Sequence, residues 1–258
     1  MIEQLLPLTD SPLYSAAALL VVAMATITFP VLFFISAPYG RHERKGWGPT
    51  LPARWGWVLM ESPAFLGFVV VFAMHRELAT ATGWVGASIY AAHYLYRAFI
   101  FPFRMRGGDK AKPLLTCFLG FAVNICIGPA LAFGLTVLWT TPFGPWTPSA
   151  FSGLGLVLAG ALVNHQSDLI LHRLRQPGET DYRIPYGGFF QWVSAPNYFG
   201  EILQWLGFAL FTGIPMAWIF FALTLANLLP RARSHHRWYK IEFPDYPTDR
   251  KALIPFVW

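Results

Sequence analysis

Charged side chains are scarce in this chain of 258 residues. Only 12% of the residues are Asp, Glu, Lys or Arg, whereas 55% are hydrophobic. An ordinary soluble domain has about a quarter charged residues, so this chain cannot cover a water-exposed surface of its size. The scarcity argues against a soluble globular protein and predicts a polytopic membrane protein. No hydrophilic block is long enough for a separate soluble domain, so the sequence predicts one domain over residues 1–258.

Cysteine is nearly absent as well. Cys117 and Cys126 are nine residues apart in one apolar segment. On a helix this separation is about 13 Å of rise, which is too long for a disulfide bond. Neither cysteine has a His or Cys at metal-ligand spacing, so both are predicted to be packing residues. The first ten residues also lack a basic region and a small-residue cleavage site, which argues against a signal peptide.

Long uncharged runs fill much of the remaining sequence. Four runs carry at most one charge each: residues 11–40, 55–75, 83–103 and 113–167. Each is long enough for a transmembrane helix of about 20 residues. The fourth run is too long for one helix, and turn-forming residues at 140–148 divide it into two. Five transmembrane helices are therefore predicted from these runs.

The distribution of basic residues predicts the topology. The last apolar region, residues 198–230, is long for one span and short for two, and Gly213-Ile-Pro215 interrupts it. If this region is a helical hairpin, every Lys and Arg except Arg76 and Arg97 falls in a loop on one side. The positive-inside rule then predicts an all-α protein with seven transmembrane helices, the N-terminus outside and the C-terminus cytoplasmic. The net charge of +6 follows from this topology and does not indicate a nucleic-acid partner.

Three ionisable residues lie within the predicted spans: Glu61, Arg97 and Glu201. Such residues are costly in lipid and usually mark function. Arg97 lies about 10 Å of helix rise inside the loop at Arg104, which is deep for an arginine that merely snorkels to the interface. Glu61 is either a protonated or paired carboxyl without function, or a neutral acid in an apolar cavity that donates a hydrogen bond to an oxygen. Spacing alone leaves both interpretations of Glu61 open.

A polar stretch follows the fifth predicted span. Asn164 and Asp168 lie one turn apart on a shared helix face, which His172 and Arg175 continue before Pro177-Gly178 ends the helix. An amphipathic helix end explains His172 and Arg175 but not Asn164, which lies deeper. Further polar and aromatic groups follow downstream: Asn197, Glu201, Trp205 and His235-His-Arg-Trp-Tyr239. Arginine suits phosphate, amides and carboxylates suit ribose, and aromatics suit stacking, so we expect a site for a large phosphate-bearing ligand.

Two other motifs are weak indications of ligand sites. Gly153-Leu-Gly155 and Gly160 resemble a dinucleotide-binding fingerprint, but the spacing is wrong and no strand precedes them. Small residues at such positions instead favour close helix packing. The His235-His236 pair lacks a carboxylate or Cys that would complete a set of metal ligands, so no metal is predicted.

Several motifs recur together in one known family. They are Asn164-His-Gln-Ser-Asp168, Leu174-Arg-Gln-Pro-Gly-Glu179, Tyr182-Arg-Ile-Pro-Tyr-Gly-Gly188, Asn197-Tyr-Phe-Gly-Glu201 and His235-His-Arg-Trp-Tyr239, with Glu61-Ser-Pro63 and His93-Tyr-Leu-Tyr-Arg97 in the first half. In this order they resemble the membrane steroid 5α-reductases (3-oxo-5α-steroid 4-dehydrogenases). The resemblance covers nearly the whole chain. Two positions depart from it: Met60, where many members have Gln, and residues 104–110, where members have an Asn and a second Arg.

The resemblance implies a seven-helix fold that encloses NADPH in its cytosolic half, while a steroid enters from the lipid. It assigns cofactor binding to Arg97, Asn164, Asp168, Arg175, Tyr182, Arg183, Asn197, Trp205, His235 and Tyr239. Glu61 and Tyr94 would contact the steroid 3-keto group. The implied reaction reduces the C4–C5 double bond of a 3-oxo-Δ4 steroid, with hydride addition at C5 and an enolate at the 3-oxygen. No obligate protein partner is implied.

Three alternatives remain open at this point. A sterol double-bond reductase would use the same cofactor on another alkene. A methyltransferase of the isoprenylcysteine type would use S-adenosylmethionine, and the Arg175 and Arg183 pair suits the extra phosphates of NADPH better. A lipid-binding or transport protein would not require the polar constellation. The membrane is either the endoplasmic reticulum or a bacterial inner membrane.

Overall fold

The computed structural model describes residues 11–138, 147–176, 179 and 181–258. The described chain is predominantly helical. Its α-helices are α1 (Pro12–Phe34), α2 (Ala53–His75), α3 (Ala81–Leu95), α4 (Phe101–Arg104), α5 (Leu114–Phe133), α6 (Pro148–Arg173), α7 (Pro196–Thr212) and α8 (Pro215–Glu242). A π-helical turn, Tyr96–Ile100, joins α3 to α4, and a second one, Gly134–Leu138, extends α5. The first ten residues and most of the predicted break at 140–148 lie outside the described residues.

Five helical segments are long and apolar enough to cross a membrane. They are Pro12–Phe34, Ala53–Leu78, Leu114–Leu138, Pro148–Arg173 and Pro215–Glu242. Large apolar side chains cover their outer faces; Leu13, Phe34 and Leu162 are 85%, 83% and 71% exposed. Continuous apolar surface of this kind is unfavourable in water and suits contact with lipid tails. The chain is therefore a helical membrane protein.

The last apolar region forms two helices, as the break at Gly213 predicts. Gly213 ends α7 in a left-handed conformation with φ of 67°, which a residue without a side chain adopts at low cost. Pro215 then begins α8 at a position where a missing N–H costs nothing. α7 has 17 residues, and ten of them are buried, so it is an inner helix of the bundle.

A short antiparallel ladder is an addition to the predicted all-helical fold. β1 (Thr50–Pro52) pairs with β2 (Ala111–Pro113), and an ion pair of 2.7 Å between Arg54 and Asp109 lies beside it. Strands of three residues leave no periodic signal in a sequence. The ladder joins the loops that precede α2 and α5. These two loops lie at the same end of the bundle, in agreement with the charge pattern.

Glycines bring α6 and α7 into close contact. A Cβ atom on Gly153 would lie 2.6 Å from the backbone nitrogen of Phe211, and one on Gly200 would lie 2.5 Å from that of Asn164. Gly160 and Gly207 complete the contact in the same way. The predicted role of Gly153 and Gly160 in helix packing is confirmed. The close approach sets the polar residues of α6 against the beginning of α7.

Candidate functional site

Glu61 on α2 and Tyr94 on α3 are close enough to interact electrostatically. Glu61 is half-buried, and Asn124 on α5 donates a hydrogen bond of 3.3 Å to its Oε2. The Tyr94 side chain is buried, with its ring centroid 4.6 Å from that of Tyr90 and 6.2 Å from that of Trp205. A carboxyl group and a phenol are thus held near each other inside the helical bundle.

Arg97 lies in the π-helical turn that follows α3. Such a widened turn redirects side chains and often occurs at functional sites. The guanidinium lies 3.8 Å from Asp168 Oδ2 and over the rings of Phe101 and Trp57, at 4.5 and 5.2 Å. Three carboxyl groups interact with it electrostatically: Glu201, Asp168 and Glu61. Arg97 therefore lies between Glu61 on α2 and the polar residues of α6 and α7.

An amide chain links α6 to α7. Asn164 Nδ2 donates to the Asn197 carbonyl at 2.9 Å, and Asn197 Nδ2 donates to Asp168 Oδ1 at 3.4 Å. The prediction that Asn164 and Asp168 share a helix face agrees with these contacts, and the structure adds that both residues contact Asn197. Asp168 Oδ2 is buried and has no hydrogen bond within the described part of the chain. Buried carboxylate oxygens normally have a donor, so this oxygen is a candidate ligand contact.

Trp205 forms a wall of the site within the aromatic core. It is 1% exposed, and its ring centroid lies 4.7 Å from those of His93 and Phe220. Gln204 Nε2 lies 3.1 Å from His93 Nδ1, and an amide NH₂ can only donate, so the histidine nitrogen accepts. His93 therefore carries its proton on Nε2. Helix α7 fixes the orientation of this ring.

Basic and aromatic side chains form a second group at the loop end of the bundle, which we call the cationic cluster: Arg41, Lys110, Arg175, Tyr182 and Tyr239. The Arg41 guanidinium lies 4.6 Å from the ring centroid of Tyr239 and 5.4 Å from that of Tyr182. Arg175 and Lys110 approach Tyr182 to 5.1 and 4.8 Å. One buried nitrogen each of Arg41 and Arg175, Nη1, has no hydrogen-bond partner among the described residues. Guanidinium groups with unused donors suit a phosphate.

The predicted continuation of the α6 face through Arg175 is wrong. The helix ends at Arg173, and Arg175 follows it in a loop. In this loop the Glu179 side chain binds the backbone: its Oε2 accepts a hydrogen bond of 2.9 Å from the Gln176 N–H. Its Oε1 pairs with exposed Arg183 at 3.0 Å. Arg183 thus has an ion-pair partner, whereas Arg175 has none among the described residues. Pro177-Gly178 lies outside these residues.

His235 connects α8 to the first loop. Its Nδ1 lies 3.1 Å from His42 Nε2, and its Nε2 lies 3.0 Å from the Tyr198 hydroxyl. The two imidazole rings are stacked, with centroids 5.2 Å apart. Burial, and then the charges of Arg41, Arg231 and Arg44, lower the pKa of His42 to about 4. In the contact between His42 and His235, one ring nitrogen must donate and the other must accept. A neutral imidazole has one N–H and one lone pair, so it can take either role.

Sequence reasoning missed three residues of the site. Asn124 is a lone amide in an apolar span, a signal that could have been used. Arg41 was attributed to topology alone, and so was Lys112. Lys112 is fully buried, with Nζ 4.1 Å from the Trp57 ring centroid and 3.6 Å from Met60 Sδ. Burial lowers the pKa of Lys112 to about 8.

Comparison with known proteins identifies the family. Residues 110–258 match the family model described as 3-oxo-5-alpha-steroid 4-dehydrogenase. The 3-oxo-5-alpha-steroid 4-dehydrogenase 1 of Macaca fascicularis is 38% identical over 85% of this chain and 84% of its own length. The same enzyme of Homo sapiens is 36% identical over 96% of each chain, and Steroid 5-alpha-reductase DET2 of Gossypium hirsutum is 34% identical over 97% and 99%. The chain belongs to the 3-oxo-5-alpha-steroid 4-dehydrogenase family.

This membership confirms the resemblance expected from the motifs. The family consists of oxidoreductases that act on CH–CH groups, which favours an enzyme over a transport protein and a reductase over a methyltransferase. It also implies a nicotinamide cofactor. The residues present fit such a group: within the described part of the chain, Asp168 Oδ2 is a buried acceptor without a hydrogen bond, and Nη1 of Arg41 and of Arg175 are buried donors without one. A carboxylate suits a ribose hydroxyl or an amide, and guanidinium groups suit phosphates.

Proposed function

We propose that this protein reduces the C4–C5 double bond of 3-oxo-Δ4 steroids to give 5α-3-oxosteroids, with NADPH as the reductant. The observation that most supports it is the placement of Glu61 and Tyr94 within electrostatic reach of each other inside a membrane bundle. Proteins named 3-oxo-5-alpha-steroid 4-dehydrogenase are similar to this chain over most of its length. A steroid dissolved in lipid would reach this pair without crossing water.

Bound NADPH supplies the hydride that the substrate receives at C5. Negative charge then develops on the 3-oxygen of the steroid. Tyr94 and a protonated Glu61 donate hydrogen bonds to that oxygen and stabilise the enolate. Loss of one such donor in a water-excluded site costs about 3 kcal/mol of barrier. C4 then takes a proton, either from water or from Tyr94.

Residues at the loop end would hold the cofactor. Arg175 and Tyr182 with Arg41 offer guanidinium donors and aromatic faces to its phosphates and rings. Asn164, Asp168 and Asn197 would contact ribose and amide groups, and Arg97 lies between them and Glu61. The remaining proposed cofactor contacts are Arg183, Trp205, His235 and Tyr239.

We also propose that seven helices cross the membrane, with the N-terminus outside. The basic loops meet at one end: β1 pairs with β2, His42 contacts His235, and Arg106 donates to the His172 carbonyl at 3.4 Å. The positive-inside rule assigns that end to the cytosol. A cysteine introduced at Asp109 should react with a membrane-impermeant maleimide only after the cells are opened, and one at Glu77 should react in intact cells. The reverse labelling would overturn this orientation.

The reaction is tested with the purified protein in detergent. We expect NADPH and testosterone or progesterone to yield the saturated 5α product, detected by mass spectrometry. Replacing NADPH with S-adenosylmethionine should give no product. A sterol with an isolated double bond and no 3-keto group should also remain unchanged, since Glu61 and Tyr94 then have no ketone to bind. Turnover of that sterol but not of the enone would overturn the proposal in favour of a sterol double-bond reductase.

A further inference from the structure

Asn124 places a polar amide against the acid of the proposed active site. The residue is 8% exposed and lies in the middle of α5. Its Nδ2 lies 2.7 Å from the Met60 carbonyl oxygen and 3.3 Å from Glu61 Oε2. A backbone carbonyl can only accept, so the atom beside it must be the NH₂ group. The orientation of the amide is therefore defined, with one hydrogen directed at each acceptor.

The packing of α5 on α2 holds this amide in place. Gly120, Asn124 and Gly128 are four residues apart and so share one face of α5. A Cβ atom on Gly120 would overlap the side chain of Met60, and one on Gly128 would overlap the backbone of Ala64. The two helices thus approach closely on both sides of Asn124, which leaves the amide little freedom to move away from α2.

Helix α2 presents a carbonyl group to this amide. Pro63 lies within α2 and lacks the N–H that would donate to the carbonyl four residues earlier, that of Leu59, so the hydrogen bonding of the turn from Leu59 to Pro63 is disturbed. The Met60 carbonyl belongs to that turn and accepts from Asn124. In membrane helices such carbonyls commonly find partners on a neighbouring helix. Asn124 is consequently anchored on backbone and reaches Glu61 with its second hydrogen.

We propose that Asn124 is a positioning residue that determines which oxygen of Glu61 carries the proton. An N–H group that donates to Oε2 requires an acceptor there, so in the neutral acid Oε2 is the carbonyl oxygen and Oε1 is the hydroxyl. Oε1 has no hydrogen bond to any residue that the structure describes. It is the oxygen that donates to the steroid 3-oxygen. This inference rests on the role of Glu61 in the proposed function.

Nearby cations explain why the acid needs such an anchor. Arg97 and Lys112 both interact electrostatically with Glu61. A carboxyl group that rotated freely would turn toward one of them as a carboxylate, and a carboxylate can only accept hydrogen bonds. The donor to the ketone would then be lost although Glu61 itself was still present.

The test replaces Asn124 with leucine, which has a similar shape and no donor. With NADPH and testosterone we expect kcat to fall about 10-fold, the size of effect expected for one hydrogen bond to an ionisable group, with the Kd of NADPH unchanged. In a Glu61→Leu background, which has no carboxyl group for Asn124 to orient, the same replacement should cause no further loss, because Asn124 acts through Glu61. An equal loss in both backgrounds would overturn the proposal, as would an unchanged kcat in the single variant.

Controls separate this inference from folding and from the proposed function. Thr136→Val removes another buried polar group beyond α5, whose hydroxyl donates to the Ala132 carbonyl of its own helix at 2.8 Å, and it should leave kcat unchanged. If Asn124→Leu does not fold, as judged by size-exclusion chromatography, Asn124→Ala is used instead. Absence of product with the wild-type protein would contradict the proposed function itself, whereas an active wild type with an equally active Asn124 variant contradicts only this inference.

A second readout does not depend on turnover. Equilibrium dialysis in detergent, with NADP⁺ in place of NADPH so that no hydride is available, compares the affinity of the protein for testosterone with its affinity for the 3-deoxy analogue. The wild type should prefer the ketone, and Asn124→Leu should lose most of that preference while its affinity for the analogue stays the same. An undiminished preference for the ketone would overturn the assignment of the proton to Oε1.

Discussion

The acid site, formed by Glu61, Tyr94 and Asn124, and the cationic cluster differ in how their polar groups are satisfied. In the acid site the amide of Asn124 has an acceptor for each hydrogen, and both acceptors belong to α2. In the cationic cluster, Nη1 of Arg41 and of Arg175 are buried without hydrogen-bond partners among the described residues. Buried donors are rarely left unsatisfied in a complete structure. The amide of Asn124 is thus satisfied within the protein, whereas the cationic cluster keeps buried donors that suit a ligand.

The acid site should govern catalysis with little influence on cofactor binding. Tyr94→Phe removes one hydroxyl and keeps the ring that packs on Tyr90 and Trp205. We expect kcat to fall about 100-fold or more, since one donor to a developing oxyanion contributes about that much. The Kd of NADPH, measured by fluorescence titration, should stay within about twofold of the wild type. Full turnover by this variant would contradict the assignment of Tyr94 to the 3-oxygen.

The cationic cluster should show the opposite behaviour. We expect Arg175→Ala to raise the Kd of NADPH about 10-fold or more, because a hydrogen bond to a charged group contributes about 1.5–3 kcal/mol. At saturating NADPH its kcat should change little. Arg183→Ala is the matched comparison: this arginine is exposed and already paired with Glu179, so a smaller rise in Kd is expected. Equal effects of the two variants would contradict the difference between Arg175, whose buried Nη1 has no hydrogen bond among the described residues, and exposed Arg183, which pairs with Glu179.

The same contrast explains what could be predicted from the sequence. The helices, the break at Gly213 and the packing glycines are visible because they depend on local composition and on residues four apart. Glu61 and Arg97 stand out as charges in apolar runs, which lipid makes costly. Asn164 and Asp168 stand out because they lie one turn apart on a helix face, whereas their contact with Asn197 was not predicted.

The missed residues depend on contacts between distant segments. Arg41 joins the cationic cluster only because the first loop folds over α8, where His42 meets His235. Asn124 reaches Glu61 only because two glycines let α5 approach α2. Beyond the end of α6 at Arg173, the Glu179 side chain accepts a hydrogen bond from a backbone N–H three residues earlier, that of Gln176. Neither periodicity nor charge patterning records such pairings.

Acid should weaken the contact between the first loop and α8. The pKa of His42 is lowered to about 4 from its ordinary 6.5. Because the folded state binds this proton more weakly than the unfolded state, the stabilisation is full above pH 6.5 and is lost as the pH falls from 6.5 toward 4. His42→Phe keeps a ring for stacking on His235 but cannot titrate. We expect thermal melting in detergent to decline less over this pH range for the variant than for the wild type; parallel declines would contradict a role for His42.

Replacement of Lys112 should have the smallest effect, and it contrasts a fully buried cation with the cations of the cationic cluster. This amine is fully buried against the Trp57 ring and Met60 Sδ. Burial lowers the pKa of Lys112 to about 8 from 10.5, so the folded state gives up this proton first and stability should rise between these two pH values. Lys112→Met replaces the charge with an apolar chain of similar length, and such exchanges are often neutral or stabilising. We expect the variant to have an equal or higher melting temperature at pH 7. Unlike the wild type, it should gain no stability between about pH 8 and pH 10.5. A clear loss of stability at pH 7 would instead show that the fold requires the buried cation.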